Sequence, residues 1–554
     1  MNFPNIYSLF REQTAKYGGL PVFFTREGND WTSQTWRDFD ERVSDVACAL
    51  FAKNLTKGGS VAILAGNIPE WSIIDIAAIA AGSVGVGIYP TSSAEQCEYI
   101  INHSDAEFVF VDSKAQLEKV LKADTPRVKE IILIGSEDDT LPNGRVSAFS
   151  DILELGQSKR DEFLPEVDRI GKEAHFDDVA IMVYTSGTTG QPKGAMLSHR
   201  YILNSVESLR RSVPIFDTDI AFSYLPGCHV AERISGIYNR LYNGTPAYFV
   251  DDLSRLYEYM LEVKPTVFAS LPRFFEKIHA ALLSEPGPTA TGLLSEPGAV
   301  ATGFPAQNVK DAFGGNIRLL TSGGAPLPAE IAKFFVDAGL PILQAYGLTE
   351  NICVAFNTVE EHKFGTVGKP MPMCEARIAE DGEIQVKSPM MFSGYYKEPG
   401  RTAEMFTADG WLRTGDIGEL DDEGFLKITG RIKEMIILSS GKNVAPALVE
   451  NLVKESHLVS HCFVHGDGRS YCVALITINK NEAAGMTEQQ VHSLVEQAVQ
   501  KANSRVSSSE QIKRWKVLDR DLSAEYDEVT PTMKLKRAVV AKNFMADLEK
   551  LYEG

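Results

Sequence analysis

The sequence of 554 residues is poor in cysteine and in positive charge. Its seven cysteines include no CxxC pair, so we predict neither a disulfide framework nor a zinc site and expect a reducing, cytoplasmic location. With 55 Lys and Arg against 74 Asp and Glu, the net charge is −19. This balance argues against a nucleic-acid-binding protein, because such proteins need a basic face to displace counterions from phosphates.

The sequence also lacks a long uninterrupted apolar run. Near its start, Arg11 and Glu12 lie where a signal peptide would need an apolar core. The longest apolar stretch, residues 72–89, contains Asp75 and several glycines, and it predicts a buried helix, a turn and a strand. We therefore expect no integral membrane segment.

The length exceeds what one core usually supports, so at least two domains are expected. Short β-branched runs, such as residues 61–64 and 108–111, alternate with helical patterns through the first 280 residues. This predicts an α/β fold in which helices pack on mostly parallel sheets. After Gly430, a short charged junction, residues 431–434, separates two apolar runs, and a smaller unit follows it.

Two further segments are predicted to have a structural role and to contain no catalytic or binding residues. Residues 282–303 hold a near-tandem repeat, LLSEPGPTATG followed by LLSEPGAVATG, which indicates a surface insertion because a single pair of units cannot form a solenoid. Thr487 and Gln490 form a capping box that predicts a helix start. The apolar stripe of that helix, which we expect to be buried, comprises Val491, Leu494, Val495, Ala498, Val499 and Ala502.

A loop typical of phosphate binding follows the predicted strand 179–184. Its ten residues, TSGTTGQPKG, combine three glycines, four hydroxyl side chains and one lysine, a mixture that can replace the water shell of a polyphosphate. The Walker-A motif requires a glycine directly before the lysine, but Pro192 stands there and Gly194 follows Lys193. The β-compatible residues after Lys193 also argue against a helix that opens there, so this is a different phosphate loop.

Five ordered motifs between residues 184 and 534 resemble those of the AMP-forming adenylating superfamily of acyl-CoA synthetases, luciferases and peptide-synthetase adenylation domains. The motifs are YTSGTTGQPKG at 184–194, QAYGLTE at 344–350, GWLRTGD at 410–416, GRIK at 430–433 and TPTMK at 530–534. The sequence is most similar to the long-chain acyl-CoA synthetases of the bubblegum-like branch, in the stretches SYLPGCHVAER (223–233), KPTVF (264–268), LPR (271–273) and TSGGAPL (321–327).

The resemblance implies a large N-terminal domain, residues 1–430, that binds ATP and the acyl group. It also implies a hinge at 431–433 and a small mobile α+β domain, residues 434–554. The activity it implies is a long-chain-fatty-acid–CoA ligase that forms acyl-AMP and pyrophosphate, and then acyl-CoA and AMP. Mg²⁺ would be the cofactor, and the partners would be fatty acid, ATP and CoA.

The resemblance also assigns roles to residues around the nucleotide. Thr185 and Glu350 would hold Mg²⁺, a hard cation that suits oxygen ligands. Tyr346 would stack on adenine, Asp416 would accept hydrogen bonds from the ribose hydroxyls, and Arg431 would make a second ribose contact. The remaining nucleotide-binding residues would be Ser186, Gly187, Thr188, Thr189, Lys193, Gly323, Gly324, Ala325, Pro326, Gly347 and Thr349.

Catalysis is expected from Lys534, together with Thr185, Glu350 and His229. The flexible point charge of Lys534 could bridge the carboxylate and the α-phosphate as negative charge develops. His229 would orient the acyl carboxylate. In the second half-reaction, Lys433 would act as the hinge, and Gly441 and Lys442 would line the pantetheine channel. By themselves, Glu350 could be a solvated carboxylate, Asp416 a surface turn residue, and Lys534, Lys536 and Arg537 a solvated basic turn.

Two other functions remain open at this point. The chain could be a fatty acyl-AMP ligase that delivers the acyl group to a carrier-protein thiol, or a catalytically silent lipid- or nucleotide-binding module. Lys193, Glu350, Asp416 and Lys534 are present together, which argues against a silent module. The sequence is compatible with a monomer and with a homodimer, and also with peripheral membrane contact, which long-chain substrates would favour.

Overall fold

A computed structural model describes residues 3–135, 141, 144–185, 191–284, 306–480, 482–523, 525–530 and 535–553. Most of the predicted insertion, 282–303, lies outside these residues. Across the described residues, strands alternate with helices as the β-branched runs predicted. The strands are β1 Pro21–Glu27, β2 Asp30–Thr35, β3 Ser60–Leu64, β4 Val84–Ile88, β5 Ala106–Val111, β6 Glu130–Leu133, β7 Val146–Ala148, β8 Val179–Thr185, β9 Lys193–Ser198, β10 Ala221–Ser223, β11 Ala247–Phe249, β12 Val267–Ser270, β13 Leu319–Ser322, β14 Ile342–Leu348, β15 Asn351–Phe356, β16 Lys369–Pro370, β17 Glu375–Ile378, β18 Glu383–Lys387, β19 Leu412–Leu420, β20 Leu426–Arg431, β21 Ile436–Ile437, β22 Asn443–Val444, β23 Val459–His465, β24 Cys472–Ile478 and β25 Ile512–Val517.

The helices connect and cover these strands. They are α1 Ile6–Tyr17, α2 Trp36–Ala52, α3 Pro69–Ala80, α4 Ala94–His103, α5 Lys114–Lys122, α6 Phe149–Ser158, α7 Arg160–Glu173, α8 His199–Ser212, α9 Asn239–Asn243, α10 Leu256–Val263, α11 Pro272–Ser284, α12 Ala306–Asp311, α13 Ala329–Asp337, α14 Pro399–Glu404, α15 Pro446–Val453, α16 Glu488–Asn503, α17 Arg537–Asn543 and α18 Met545–Glu553. Residues Ala231–Tyr238 form a π-helix, and Leu253–Arg255 and Ile432–Glu434 form 3-10 helices.

A seven-stranded sheet of order β7-β6-β5-β3-β4-β8-β9 forms the centre of the large N-terminal part. All its neighbouring strands are parallel except β8 and β9. Every residue of β3 and β5 is buried, as expected for strands that helices cover on both faces. The stretch 72–89 forms the end of α3, a turn and β4, which confirms the predicted helix, turn and strand.

Three smaller sheets complete the N-terminal part. One has the order β10-β11-β1-β2, and another has the order β12-β13-β14-β15-β16. In the latter, β12, β13 and β14 are parallel, and β15 and β16 continue the sheet antiparallel. The third sheet, β17-β18-β19-β20, is antiparallel throughout. Its last strand, β20, leads directly into the 3-10 helix at Ile432–Glu434.

The C-terminal part is a small α+β unit. It contains the two-stranded sheet β21-β22 and the three-stranded sheet β23-β24-β25, with α15 to α18. The capping box at Thr487 begins α16 as predicted. Of the predicted stripe, Val495, Ala498, Val499 and Ala502 are buried, but Leu494 is 38% exposed. Its expected burial is therefore wrong, because the core that α16 covers is narrower than the apolar stripe.

All seven cysteines lie in the described residues, and each is buried and free. Among the helices that the structure describes, none is both long enough and apolar enough to span a bilayer. The predicted fold class, α/β with a large N-terminal part and a smaller α+β C-terminal part, is confirmed.

Candidate active site

Strands β14 and β15 form a tight hairpin that carries four of the predicted site residues. Tyr346 and Gly347 lie in β14, and Thr349 and Glu350 form the turn. A Cβ atom at Gly347 would lie 1.8 Å from the carbonyl oxygen of Ile352 on the facing strand, so glycine is needed for the strands to approach this closely. The hairpin therefore fixes the spacing between Tyr346 and Glu350.

The buried side chain of Tyr201, in α8, holds the turn of this hairpin. Its hydroxyl donates to the carbonyl oxygen of Thr349 and accepts from the backbone amide of Ile352, each at 3.0 Å. The amide of Phe392 donates to the carbonyl oxygen of Glu350 at 2.8 Å. Because these turn groups already have partners, the side chains of Thr349 and Glu350 extend from a fixed backbone.

Asp416 connects the hairpin to the antiparallel sheet. The hydroxyl of Tyr346 donates to Oδ2 of Asp416 at 2.5 Å, and Nε of Arg431 lies 2.7 Å from Oδ1. The pairing of β19 with β20 places Asp416 opposite Arg431. Asp416 is only 2% exposed, so the alternative that it is a surface turn residue is wrong. A carboxylate held in this way can accept hydrogen bonds from a pair of hydroxyls.

The charges within this cluster fix its protonation. Burial raises the pKa of the Tyr346 hydroxyl, and the charge of Asp416 raises it further, so the phenol remains a hydrogen-bond donor. Burial would lower the pKa of Arg431, but the attraction of Asp416, together with smaller contributions from Glu434 and Tyr346, outweighs burial and raises the pKa. The cluster thus holds one carboxylate, one guanidinium and one neutral phenol.

A second cluster surrounds Glu350. Tyr395 donates its hydroxyl proton to Oε1 of Glu350, and the ammonium nitrogen of Lys193 lies 4.4 Å from the centroid of the Tyr395 ring. Tyr395 reaches this point because its segment pairs antiparallel with β9, where Ala195 faces it. Glu350 is 8% exposed, so the alternative that it is a solvated carboxylate is wrong.

Positive charge accumulates around Lys193. Burial lowers the pKa of the Lys193 ammonium and Glu350 opposes this effect, while Lys433 and Arg401 lower the pKa further and Glu398 raises it. Lys433, on the 3-10 helix after β20, is therefore close enough to repel Lys193. Three cations that share one site with two carboxylates form a suitable environment for a polyphosphate with a metal cation.

The predicted phosphate loop begins and ends on paired strands. Thr185, the last residue of β8, is half-buried and pairs in register with Lys193, the first residue of β9. Lys193 therefore opens a strand and not a helix, as Pro192 before it and the β-compatible residues after it predicted. The predicted site residues that lie outside the described residues are Ser186, Gly187, Thr188, Thr189 and Lys534.

The predicted adenine-binding segment, residues 323–326, follows β13 and leaves Gly324, Ala325 and Pro326 exposed. Gly324 has a φ of +77°, which favours glycine. Just before this segment, the hydroxyl of Ser322 is buried and has no hydrogen-bond partner among the described residues. An unpartnered buried hydroxyl is costly, which points to a ligand contact beside the exposed loop.

His229 lies at the entrance to the π-helix. The backbone amide of Ala231 donates to Nδ1 of His229 at 3.1 Å. Because an amide N–H can only donate, Nδ1 is an acceptor, and the neutral ring carries its proton on Nε2. The neighbouring Cys228 is 1% exposed, and burial raises the pKa of its thiol, which agrees with a packing role and not with a nucleophile.

Gly441 and Lys442 lie on the exposed turn between β21 and β22. Gly441 has a φ of +76°, a left-handed backbone conformation that favours glycine. Within the described parts of the chain, we find no hydrogen bond between this turn and the Asp416 or Glu350 clusters. The structure thus brings together Tyr346, Asp416 and Arg431, and separately Glu350 and Lys193.

Comparison with known proteins places this site in a family. The family model described as AMP-binding enzyme matches residues 10–396, and the one described as AMP-binding enzyme C-terminal domain matches residues 433–554. The chain belongs to the AMP-binding enzymes. The two matches cover most of the chain, and the first includes Lys193, Tyr346 and Glu350.

Among AMP-binding enzymes, the chain is similar to ligases of long-chain fatty acids. It is 34% identical over 575 residues to the long-chain-fatty-acid–CoA ligase FadD15 of Mycobacterium bovis, a match that covers 94% of this chain and 92% of that protein. It is 30% identical to the long-chain-fatty-acid–CoA ligase ACSBG2 of Homo sapiens, over 99% of this chain and 92% of that protein. The predicted superfamily and its bubblegum-like branch are confirmed.

Two solved structures share the fold of this chain. ATP-bound MatB from Rhodopseudomonas palustris superposes with a TM-score of 0.76 at 22% identity, over 98% of this chain and 99% of that one. The anthranilate CoA ligase AuaEII in complex with anthranoyl-AMP superposes with a TM-score of 0.80 at 19% identity, over 99% and 98% of the two chains. At these identities, the likeness concerns the fold.

Two residues of the site were not predicted from the sequence. Tyr395 bonds Glu350, yet its local sequence offers only a glycine before an aromatic pair as a signal. Ser322 lies in a stretch that resembles the branch, but the burial of its hydroxyl is not visible in the sequence. Both depend on contacts between distant segments of this AMP-binding enzyme.

Proposed function

We propose that this chain joins a long-chain fatty acid to CoA at the expense of ATP. The first half-reaction forms acyl-AMP and pyrophosphate, and the second transfers the acyl group to the CoA thiol and releases AMP. The relatives whose names state this activity cover nearly the whole chain, which supports the proposal. The buried, free state of all seven cysteines supports a reducing, cytoplasmic location as part of it.

The β14–β15 hairpin is the observation that carries this proposal. It bears Tyr346, which bonds Asp416, and Glu350, which bonds Tyr395 beside Lys193. One short turn thus links a cluster suited to a nucleoside with a cluster suited to phosphates. A single ATP molecule has its base and sugar at one end and its phosphates at the other, so the hairpin supports one nucleotide that spans both clusters.

In this proposal the nucleoside contacts come from three segments. The Tyr346 ring stacks on adenine, and the exposed segment 323–326 forms the rest of that pocket. Asp416 accepts hydrogen bonds from the ribose hydroxyls, and Arg431 makes a second ribose contact while it neutralises the carboxylate. The charged Arg431–Asp416 pair then discriminates against a nucleoside that lacks the hydroxyls, because the buried carboxylate would be left with too few donors.

The phosphates are bound by the loop after β8, which includes residues 186–189, together with Lys193 and Thr349. Glu350 and Thr185 are proposed to hold Mg²⁺. Their carboxylate and hydroxyl oxygens fit this cation, which usually takes only one or two protein ligands and keeps water and phosphate oxygens for the rest. When bound, Mg²⁺ would neutralise charge on the phosphate oxygens.

Adenylation requires two anions to approach each other, so the chain must supply positive charge where they meet. Lys534 is the residue proposed to do this at the α-phosphate. His229, with its proton on Nε2, donates a hydrogen bond to the acyl carboxylate and orients it for attack. Lys193 offsets the charge of the departing pyrophosphate.

Thioester formation requires a different set of residues. We assign residues 1–430 to the nucleotide- and acyl-binding domain, 431–433 to a hinge at Lys433, and 434–554 to a mobile domain. Rotation about the hinge removes Lys534 and brings the Gly441–Lys442 turn to the CoA pantetheine. The exposed position of this turn is compatible with such an exchange.

Pyrophosphate release tests the proposal directly. The purified chain is incubated with ATP, Mg²⁺ and fatty acids from about 8 to about 20 carbons, with and without CoA. We expect pyrophosphate release with long-chain acids and acyl-CoA once CoA is added. Pyrophosphate without acyl-CoA would instead indicate delivery to a carrier-protein thiol. No pyrophosphate with any fatty acid would indicate a silent binding module and overturn the proposal.

A further inference from the structure

The π-helix Ala231–Tyr238 holds both the backbone and the ring of His229. The amide of Arg233 donates to the carbonyl oxygen of His229 at 2.9 Å, and the amide of Ala231 donates to its Nδ1 at 3.1 Å. Any shift of the first turn of this helix would therefore move the imidazole. π-Helices frequently occur at functional sites, which raises the question of what fixes this one.

One anchor is the fully buried side chain of Arg233. Its guanidinium donates to both carboxylate oxygens of Asp75 in α3, from Nε at 3.1 Å and from Nη2. Nη2 also donates to the carbonyl oxygen of Gly85 at 3.1 Å, and Tyr238 donates its hydroxyl proton to Asp75 at 2.7 Å. The planar fork of the arginine is thus fixed against the central sheet.

The same guanidinium also supports the residues just before His229. It lies 4.8 Å from the ring centroid of Trp71. Trp71 also packs closely against Gly227, where an added Cβ atom would lie 2.7 Å from the Trp71 ring. A Cβ at Gly85 would lie 2.6 Å from Nη2 of Arg233, so glycine at this position makes room for the ion pair.

A second anchor is Glu232, the residue that precedes Arg233 in the same helix. The carboxylate of Glu232 accepts hydrogen bonds from Ser223 and Arg240, each at 2.7 Å. Glu232 is 5% exposed. Glu232 therefore binds the π-helix to β10 and α9, while Arg233 binds it to α3 and β4. Contacts with separate elements restrict rotation of the helix as well as its displacement.

Stability alone does not account for the Arg233–Asp75 pair. Both side chains are 0% exposed, and the desolvation of two charges commonly offsets their attraction, so a well-packed apolar pair often serves equally well. What an apolar pair cannot supply is the directional fork that orients the helix. We propose that Arg233, held by Asp75, is a positioning residue for adenylation, which acts by setting the orientation of His229 toward the acyl carboxylate. This rests on the proposed function.

A double-mutant cycle tests this role. Pyrophosphate release with a saturated fatty acid of about 16 carbons is measured for the wild type, Arg233→Lys, His229→Ala and the double variant. Lysine keeps the charge but loses the fork, so Arg233→Lys should lower kcat roughly 10- to 100-fold and leave the KM for ATP within about twofold. In the His229→Ala background, the same change should lower kcat by less than about twofold.

The control is Arg160→Lys. Arg160, in α7, forms a comparable bidentate ion pair with Asp45, in α2. Its Nε and Nη2 atoms lie 2.5 Å and 2.9 Å from the two carboxylate oxygens. This variant should leave kcat within about twofold of the wild type. If Arg233→Lys fails to fold, the paired variant Asp75→Leu with Arg233→Met, which removes both charges, replaces it in the cycle. Melting temperatures establish that each variant is folded.

Three results would overturn the inference. Equal effects of Arg233→Lys with and without His229 would mean that the two residues act independently. A parallel rise in the KM for ATP would indicate a general structural defect. Both results leave the proposed function intact, because the wild type still adenylates fatty acids. A wild type that releases no pyrophosphate with any fatty acid would remove the proposed function, and this inference with it.

Discussion

The hydroxyl of Tyr346 donates a 2.5 Å hydrogen bond to the same carboxylate that Arg431 contacts at 2.7 Å, that of Asp416. These three residues come from β14, β19 and β20, which belong to two different sheets. The contact therefore joins the hairpin that bears Glu350 to the strand that leads into the proposed hinge. We therefore expect substitutions of Asp416 to weaken nucleotide binding.

Replacement of Asp416 by Asn should raise the KM for ATP by roughly 10- to 100-fold, because charge-assisted hydrogen bonds contribute about 1.5–3 kcal/mol. Tyr346→Phe keeps the ring and removes only a hydrogen bond, so it should raise this KM by about 2- to 10-fold. Steady-state kinetics at saturating fatty acid and CoA measure both. Asp409→Asn, which changes an exposed carboxylate paired with Arg377, is the control. An unchanged KM in Asp416→Asn would remove its ribose role.

Lys534→Ala should slow adenylation by roughly 100-fold or more, as expected for the loss of one donor that stabilises transition-state charge. Nearby Lys536→Ala is the matched control, because Lys536 forms an ion pair with Asp527. Arg537, which lies 2.8 Å from Glu450, is likewise engaged, so these neighbours do not form a solvated basic turn. Single-turnover formation of acyl-AMP separates the two variants. Comparable loss in both would show that the assignment of Lys534 is wrong.

Relative to Lys433→Ala, which lacks the same charge, Lys433→Pro should slow thioester formation by roughly tenfold or more and leave adenylation within about twofold, because proline fixes φ at the proposed hinge. Lys433 lies in the 3-10 helix Ile432–Glu434, directly after β20. Lys433→Ala, which keeps backbone freedom, separates the loss of charge from the loss of rotation. The two half-reactions are followed as pyrophosphate release and acyl transfer. Equal slowing of both steps by proline would contradict a domain rotation.

The buried ring of His199 predicts a pH-dependent stability. The amide of Ile6 donates to its Nδ1 at 3.3 Å, and burial lowers the pKa of His199 from 6.5 to about 4. The unfolded chain therefore binds this proton at a higher pH than the folded chain does. Stability from this site is complete above pH 6.5 and is lost as the pH falls towards about 4, by roughly 3 kcal/mol in all.

Melting temperatures at about pH 7.5 and about pH 5 measure this effect. The wild type should lose more stability on acidification than His199→Gln, which has no proton to take up at this site. His362→Gln, at an exposed histidine, serves as the control and should behave as the wild type does. An identical acid sensitivity in His199→Gln and the wild type would contradict the prediction.

Local patterns predicted much of the fold. The β-branched runs at 61–64 and 108–111 predicted β3 and β5, and the Thr487 capping box predicted the start of α16, because strand burial and helix capping depend on neighbouring residues. Burial on the α16 stripe was less predictable, since Leu494 faces outward where the small C-terminal core ends. The width of a core is a property of the packed unit, which periodicity along one helix does not contain.

The residues of the candidate site likewise fall into those that the sequence predicted and those that it did not. Tyr346, Glu350 and Asp416 could be found from motifs because each lies in a short recognisable segment. Tyr395 could not, since its role arises when its segment pairs with β9, roughly 200 residues earlier in the chain. Contacts of this kind follow from strand pairing, and the sequence around either partner gives no sign of the other.

The close approach at Gly347 has a consequence for anyone who wishes to redesign the cofactor preference of this enzyme. A side chain there would collide with the carbonyl oxygen of Ile352 and push the hairpin open, which would displace both Tyr346, the proposed adenine contact, and Glu350, the proposed metal ligand. Substitutions in this hairpin that aim at GTP or CTP binding would therefore also disturb the residues proposed to contact the phosphates. Mutational libraries aimed at nucleobase choice should start instead from the solvent-facing segment at Gly324, Ala325 and Pro326.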